Sequence, residues 1–543
     1  MNLFQPMTPQ PLLRSPPFPW VSRRSAAISR PLSSTPGPPP DPAARDSLFA
    51  AIRAARIGGE FWLAPVKTAP RVILAPRDAE QASAMRAEVA SRPCLVLPPS
   101  GRNVDPWSLL AEAELVVADA NDELAALALI AGTKVRLHGR GRFGDAAHGA
   151  CADAVVRHVC ANTSYRNPFD REVIAAADAV ALLASWREAI DANRPVTAAA
   201  GIAWWKRRAV RQFLWAPRSK PLRFVAGVQP EERRTGAGGA VAAWPSRTDQ
   251  HDVMAAREGG RRVALIEDGF VRSNGLGSAL HRPWSITLDW RAAHFDAARA
   301  SDLEVLLATS RFDPPLLARA AALRQTIVAA GIGKYGVHPR EEPASLTPRN
   351  RRRVLAVGQV RGDESLRLGG CGLEEPLDFL KAVRSREPDA EIWYRPHPDV
   401  EAGFRDGAIP DEVALRHADR VVRSGSLNTN LREVDAVHVV TSLAGFEALL
   451  AGYEVVVHGV PFYAGWSLTR DLHPCSRRTR PLLIDELVAG ALILYPRYID
   501  PVTTLPCPPE VLIARLRSGV RRRSAATLLR ALEGSVRRMV RAR

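Results

Sequence analysis

Short apolar runs alternate with helix-spaced leucines and alanines along most of this chain, and residues 436–466 show the pattern most clearly. Val437 to Val440 form an unbroken apolar run, which predicts a buried strand. Thr441 and Ser442 stand where a helix N-cap belongs, and Leu443, Phe446, Leu449 and Leu450 repeat at helical spacing. Gly452 closes that helix, and Val455 to Val457 open the next strand. Strand, hydroxyl cap, helix and parallel strand make a βαβ unit. Its helix N-terminus offers unsatisfied N–H groups to a phosphate beyond the strand's carboxyl end.

The same rhythm predicts α/β structure elsewhere. Between about 46 and 200, Val72–Ala75, Cys94–Leu97 and Leu115–Ala118 read as strands among alanine-rich helices. A shift of 320 positions lays Ala131-Gly132 on Ala451-Gly452, His138-Gly139 on His458-Gly459 and Pro76 on Pro396. Positions suited to chemistry do not survive it, because Asp122 then faces Ser442, Leu127 faces Glu447 and Arg77 faces His397. An aspartate at a helix N-terminus repels a phosphate. Residues 46–200 are therefore expected to be a degenerate partial module. The basic aromatic stretch Trp204–Trp215 leads from it to two Rossmann-like halves, 205–348 and 349–510. Strands are expected at Arg262–Ile266 and Ser285–Asp289 in the first half, and at Val354–Gly358 and Ile392–Tyr394 in the second.

Residues 1–45, broken by Pro-Pro-Phe-Pro and Pro-Gly-Pro-Pro-Pro, are expected to be a disordered leader or to lie upstream of the true start. Residues 511–543 are expected to be a basic amphipathic tail, with ten arginines from Arg515 to Arg543 against one acidic residue, Glu533.

Composition narrows the class without choosing a reaction. A net charge of +17 over 543 residues suits phosphorylated substrates, an anionic membrane surface or nucleic acid. No nucleic-acid reader motif accompanies it, so nucleic acid is not an expected partner. Six scattered cysteines without a CxxC fit a reducing cytoplasm. No apolar run approaches the roughly 20 residues of a membrane span. Prolines interrupt the N-terminus before a signal-peptide core could form.

Candidate chemistry falls after predicted strands. Ser442 and its helix N-terminus would hold a phosphate, and Arg395 and His397 would counter its charge. Glu447, one turn into the helix, could accept from ribose hydroxyls. Glu267, Asp268 and Asp289 remain for acid, base or nucleophile duty, as paired carboxylates serve in glycosyl chemistry.

Six spaced motifs then carry a resemblance: Glu267-Asp-Gly-Phe-Val-Arg-Ser273 with Gly275-Leu-Gly277; Gly358-Gln359-Val360 with Asp363–Gly370; Arg395-Pro-His-Pro-Asp-Val400; Thr441–Leu449; Pro461-Phe-Tyr-Ala-Gly-Trp466; and Tyr495–Pro501. Over about 205–510 the chain resembles the capsule polysaccharide biosynthesis family, which includes bacterial β-Kdo transferases, and in particular its second catalytic module. The resemblance implies a GT-B-like pair of Rossmann domains behind the degenerate module, with CMP-Kdo as donor. It implies a lipid-linked acceptor of the Kdo-lysophosphatidylglycerol type, and work at the cytoplasmic face of the inner membrane, with capsule export machinery as a further partner. It places Gln359, Arg395, His397, Ser442 and Glu447 at the CMP portion and Glu267 and Asp268 at the sugar, with Asp268 attacking or stabilising the anomeric carbon. No cofactor or metal is implied, since side chains and a helix dipole can neutralise one phosphate. Ala292-Ala293-His294-Phe295-Asp296, Arg361 and Ser467 depart from the family pattern and bear on acceptor specificity. The alternative expectation is a non-catalytic scaffold of the capsule assembly and export complex.

Overall fold

A computed structural model describes residues 10–32, 41–68, 70–90, 92–228, 239–273, 275, 280–334, 336–337 and 351–519. The chain divides into two compact units. The first holds residues 1–195, 214–221 and 503–505, and the second holds 196–213, 222–502 and 506–543.

The first unit is built on a four-stranded parallel sheet. Its strands are β1 (Val72–Ala75), β2 (Leu95–Val96), β3 (Leu115–Asp119) and β4 (Lys134–His138), in the order β2-β1-β3-β4. Both β1 and β3 are buried along their whole length, as strands covered on two faces must be. Helix α1 (Glu123–Ala131) follows β3, capped by Asp122 at one end and by left-handed Gly132 at the other.

Residues 10–32 depart from the expected disorder. Leu12, Leu13, Phe18 and Ile28 are each no more than 3% exposed, and Ser29–Pro31 pairs with Thr163–Tyr165. The prolines hid a set of core side chains that is spaced by no regular period. Residues 41–45 depart from that expectation too, since Asp41 caps a helix over Pro42–Ala55, while residues 1–9 and 33–40 lie outside the described residues.

Among the described residues the second unit contains two large sheets and a two-stranded hairpin. The first has seven strands, β5 (Val196–Ala200), β6 (Arg223–Val225), β7 (Ala240–Ala243), β8 (Val263–Asp268), β9 (Ser285–Asp289) and two that return late in the chain. Its order begins β6-β5-β7-β8-β9, with the first four parallel and β9 antiparallel to β8. Helix α2 (Arg207–Phe213) follows β5, and the short hairpin β10 (Ile332–Gly333) and β11 (Gly336–Val337) follows β9.

The second sheet has six parallel strands: β12 (Arg353–Val357), β13 (Glu391–Arg395), β14 (Arg420–Val421), β15 (Ala436–Val439), β16 (Glu454–Val457) and β17 (Arg470–Asp471), in the order β14-β13-β12-β15-β16-β17. Helix α3 (Pro398–Glu401) follows β13, and α4 (Leu443–Leu450) follows β15. The chain then goes back to the first sheet, where β18 (Arg497–Ile499) and β19 (Pro506–Cys507) complete the edge beside β9. The first Rossmann half therefore begins at 196 rather than 205 and takes its last two strands from the far end of the chain. This is a GT-B-like pair of α/β domains.

The 320-residue offset carries over from residues to elements. Shifted, β1 falls on 392–395, β3 on 435–439, α1 on 443–451 and β4 on 454–458, matching β13, β15, α4 and β16 to within a residue or so at each end. One difference is topological. In the second sheet β12 lies between β13 and β15, whereas β1 pairs directly with β3. The first unit's sheet thus has no counterpart of β12 among the described residues.

Candidate functional site

The stretch 436–466 folds as its pattern predicts. Ser442 caps α4, its hydroxyl accepting from the Ala444 N–H at 3.2 Å. The Tyr463 hydroxyl donates to the Ser442 carbonyl at 2.5 Å. That approach needs Gly445, where a Cβ would stand 2.4 Å from the Tyr463 oxygen. The last residues of β15 and the first turn of α4 are therefore held rigidly, with the helix N–H groups at the carboxyl end of the sheet.

Gln359, just beyond β12, ties this corner to the next strand. Its amide nitrogen donates to Thr441 Oγ1 at 2.7 Å and to Ser365 Oγ at 2.8 Å, while its carbonyl accepts from the Thr441 N–H at 3.3 Å. In this structure Gln359 positions the cap, and Thr441 and Ser365 join it.

Arg395, the last residue of β13, donates to the Asn430 side-chain oxygen and to the Gly425 carbonyl, which fix its guanidinium. His397 caps α3, Nδ1 accepting from the Asp399 N–H at 3.1 Å. Burial lowers the His397 pKa to about 4, helped by Lys334 and opposed by Asp399 and Asp363. The ring is neutral near pH 7, and since Nδ1 accepts, Nε2 carries the proton. His397 can thus donate a hydrogen bond but does not supply the positive charge expected of it. Arg395 does, together with a residue that no motif singled out.

That residue is Lys334, in the turn between β10 and β11. Its N–H donates to Glu447 Oε1 at 2.8 Å, and its carbonyl accepts from Arg272 N at 3.0 Å. Lys334 lowers the pKa of His294 and His397 and favours ionisation of Glu267, Asp268 and Glu447. It stands among the candidate groups of both sheets. Close approach requires glycine at 333, where a Cβ would lie 2.7 Å from Glu447 Oε2. Burial raises the Glu447 carboxyl to about 7 against the pull of Lys334 and Arg395, so it is a half-protonated group at the helix's first turns.

Glu267 and Asp268 are the last residues of β8, and their surroundings differ sharply. Asp268 receives Lys206 Nζ at 3.1 Å on both oxygens and Arg272 Nε at 2.7 Å. Burial works against its charge, but Arg272, Lys206 and Lys334 outweigh it and hold Asp268 well below the usual carboxylate range. Lys206 is itself buried, with its ammonium 3.5 Å from the Trp244 ring centroid. Among the described residues Glu267 makes no ion pair of this kind. Burial pushes it up to about 8 against Lys206, with Asp268 adding to the rise. Neighbouring carboxyls thus hold opposite protonation states near neutral pH, a separation typical of acid–base sites.

Asp289 is not brought to this cluster. Because β9 runs antiparallel to β8, its carboxyl end lies beside Leu265, while Ile286 lies beside Asp268. Three residues of strand, roughly 10 Å, separate Asp289 from the Asp268 row. Its oxygens accept from the N–H groups of Arg291, Ala292 and Asp302 and from the Tyr495 hydroxyl. Asp289 anchors the loop after β9 and is removed from the catalytic candidates.

Sequence reasoning missed Lys206, Arg272 and Lys334. Lys206 lay inside the basic aromatic stretch Trp204–Trp215 and Arg272 inside the Glu267–Ser273 motif, so their neighbourhoods were marked but not their roles. Only the glycines at 331, 333 and 336 hinted that something crowds Lys334. Among the described residues no three His, Cys, Asp or Glu side chains cluster closely enough to hold a metal ion.

Residues 332–498 match the model of the capsule polysaccharide biosynthesis protein family. The chain is 37% identical over 347 residues to the capsule polysaccharide modification protein LipA of Neisseria meningitidis serogroup A, covering 62% of this chain and 48% of LipA. It is 42% identical over 238 residues to the lipopolysaccharide-processing protein LpsZ of Rhizobium meliloti, covering 43% of this chain and 53% of LpsZ. The chain thus spans about half the length of these curated relatives. Among solved structures, it is similar to the KpsC β-Kdo 2,4 transferase of Thermosulfurimonas dismutans at 33% identity and a TM-score of 0.50, covering 59% of this chain and 98% of that one.

Proposed function

With residues 332–498 placed in the capsule polysaccharide biosynthesis family, we propose that this chain is a glycosyltransferase of capsule assembly. It moves Kdo from CMP-Kdo to a lipid-linked acceptor of the Kdo-lysophosphatidylglycerol type. The observation that carries this is the bridge at Lys334: its N–H donates to Glu447 of α4, and its carbonyl accepts from the N–H of Arg272, whose guanidinium holds Asp268 at the end of β8. The similar KpsC structure, described as a β-Kdo 2,4 transferase, supports the choice of sugar.

The donor's single phosphate sits at the N-terminus of α4, with Arg395 and Lys334 supplying positive charge and His397 Nε2 supplying a neutral donor. No metal is invoked. Glu447 accepts from the ribose hydroxyls. At the other end, Asp268 stays ionised and stabilises positive charge developing at the anomeric carbon, or attacks it. The ionised fraction of Glu267, which grows as pH approaches about 8, takes the proton from the acceptor hydroxyl as that oxygen bonds the anomeric carbon and CMP leaves. The enzyme works peripherally at the cytoplasmic face of the inner membrane, in reach of capsule export machinery.

The first unit takes no donor in this scheme. At the place equivalent to Ser442, Asp122 is held by Arg102 through two bonds of 2.8 and 2.6 Å, which fills the anion corner with an internal carboxylate.

Incubation with CMP-Kdo and a synthetic Kdo-lipid acceptor should release CMP and extend the acceptor. If the wild type releases no more CMP than an Asp268→Ala control, the scaffold alternative takes over. Ser442→Ala should cost about 1 kcal/mol of stability through the lost cap. It should also raise KM for CMP-Kdo more than it lowers kcat, as steady-state kinetics would register.

A further inference from the structure

The run Gly201–Val228 contains seven Lys or Arg residues, three Trp and two Phe, and no Asp or Glu. Lys206 turns inward to Asp268, but Trp204, Arg207, Arg208 and Arg211 are exposed. Trp204 is 69% exposed, the highest exposure of any described tryptophan. Ala209, Val210 and Phe213 bury the inner face of α2, which leaves Arg207, Arg208 and Arg211 on its outer face. The Arg207 and Arg211 guanidiniums lie 5.5 and 5.2 Å from the Phe224 ring centroid, so an aromatic side chain holds them at the surface.

We propose that Trp204 with Arg207, Arg208 and Arg211 forms a docking surface for an anionic phospholipid bilayer. An indole with an apolar body and one N–H donor suits the headgroup depth of a membrane. Arginines pair with lipid phosphates in two-pronged fashion, and the run that carries them adds no carboxylate of its own to repel them. Lys206 follows Trp204 by two residues and reaches Asp268 at 3.1 Å, so the docked face carries the sugar end of the site to the bilayer. This deepens the proposed function, because it rests on the acceptor being lipid-linked.

The test is co-sedimentation of the full chain with phosphatidylglycerol–phosphatidylcholine vesicles and with phosphatidylcholine alone, in the absence of donor and acceptor. The wild type should bind the anionic vesicles, less so as salt rises. Arg208→Glu/Arg211→Glu should lower partitioning roughly tenfold or more, and Trp204→Ala by about threefold. If the charge reversal prevents a cooperative melt, Arg208→Gln/Arg211→Gln replaces it. Transfer to a water-soluble Kdo acceptor should be unchanged in each variant. Vesicle binding equal to wild type in the folded variants would overturn the surface and move membrane attachment to the arginine-rich tail. No binding by the wild type would overturn it too, as would a Trp204→Ala loss confined to the soluble acceptor, which would make Trp204 a sugar contact. Failure of the transferase reading is separate, since it appears as absent transfer with vesicle binding intact.

Discussion

Asp268→Asn is expected to slow the proposed Kdo transfer by about a thousandfold, the scale for losing a charge placed at a developing transition-state charge. Lys206 and Arg272 touch Asp268 directly and Lys334 adds to their field, so its carboxylate persists at every working pH. The neutral amide keeps the shape and removes the charge. Glu267→Gln should lower kcat by roughly 10²–10⁴, the range for a lost proton carrier. The two variants differ in their pH profiles. Glu267 titrates at about 8, so wild-type kcat should rise with pH up to that value and then level as the base form fills. Asp268→Asn should keep a rising limb, and Glu267→Gln should lose it. A Gln variant that keeps the limb assigns the proton to another group.

Stability enters with its own sign. The Glu267 pKa is higher in the folded chain than its ordinary value of 4.5, so its contribution to folding is full below 4.5 and is lost as pH rises through about 8. Rates on the alkaline side should therefore be read beside a melting curve at the same pH.

Local pattern carried the βαβ unit from sequence to structure nearly intact. Val437–Val440 was expected and Ala436–Val439 is observed, and α4 starts after Ser442 and ends before Gly452. Cap chemistry and helical period are properties of neighbouring residues, so they are legible. Strand direction is not. Asp289 ends an apolar run as Asp268 does, yet β9 runs backwards beside β8, and the two carboxylates separate. Residues 196–200 read Val-Thr-Ala-Ala-Ala, whose alanines argue for helix, and only pairing on both sides makes them β5. The return of β18 and β19 to the first sheet is likewise a pairing across some two hundred residues, which no local window contains. Lys206, Lys334 and the neutral state of His397 belong to the same class, because each is set by burial and by partners distant in sequence. The family motifs marked where the site lies, and the tertiary field decided what each member could do there.

The second large effect is structural and sits behind the nucleotide corner. Glu304, 5% exposed, accepts from Arg477 Nε at 2.6 Å and from Arg478 Nε at 3.0 Å. Arg478 in turn donates to the carbonyls of Pro461 and Ala464, fixing the Pro461–Trp466 loop whose Tyr463 holds Ser442. Glu304→Ala leaves a buried guanidinium without its counter-charge, which should cost about 3–5 kcal/mol. Urea unfolding should show it as an earlier midpoint with an unchanged slope. Burial opposes the Glu304 charge, but Arg477 and Arg478 outweigh it and hold the carboxyl below its usual range. Its contribution is thus present above the unfolded carboxyl value and is lost as pH falls through the folded one. Wild type should lose stability on acidification that the alanine variant has already lost, so the two midpoints should converge toward low pH. Parallel curves would mean that the triad is not what holds the loop. Because Ser442 depends on that loop through Tyr463, the variant should also bind CMP more weakly at neutral pH.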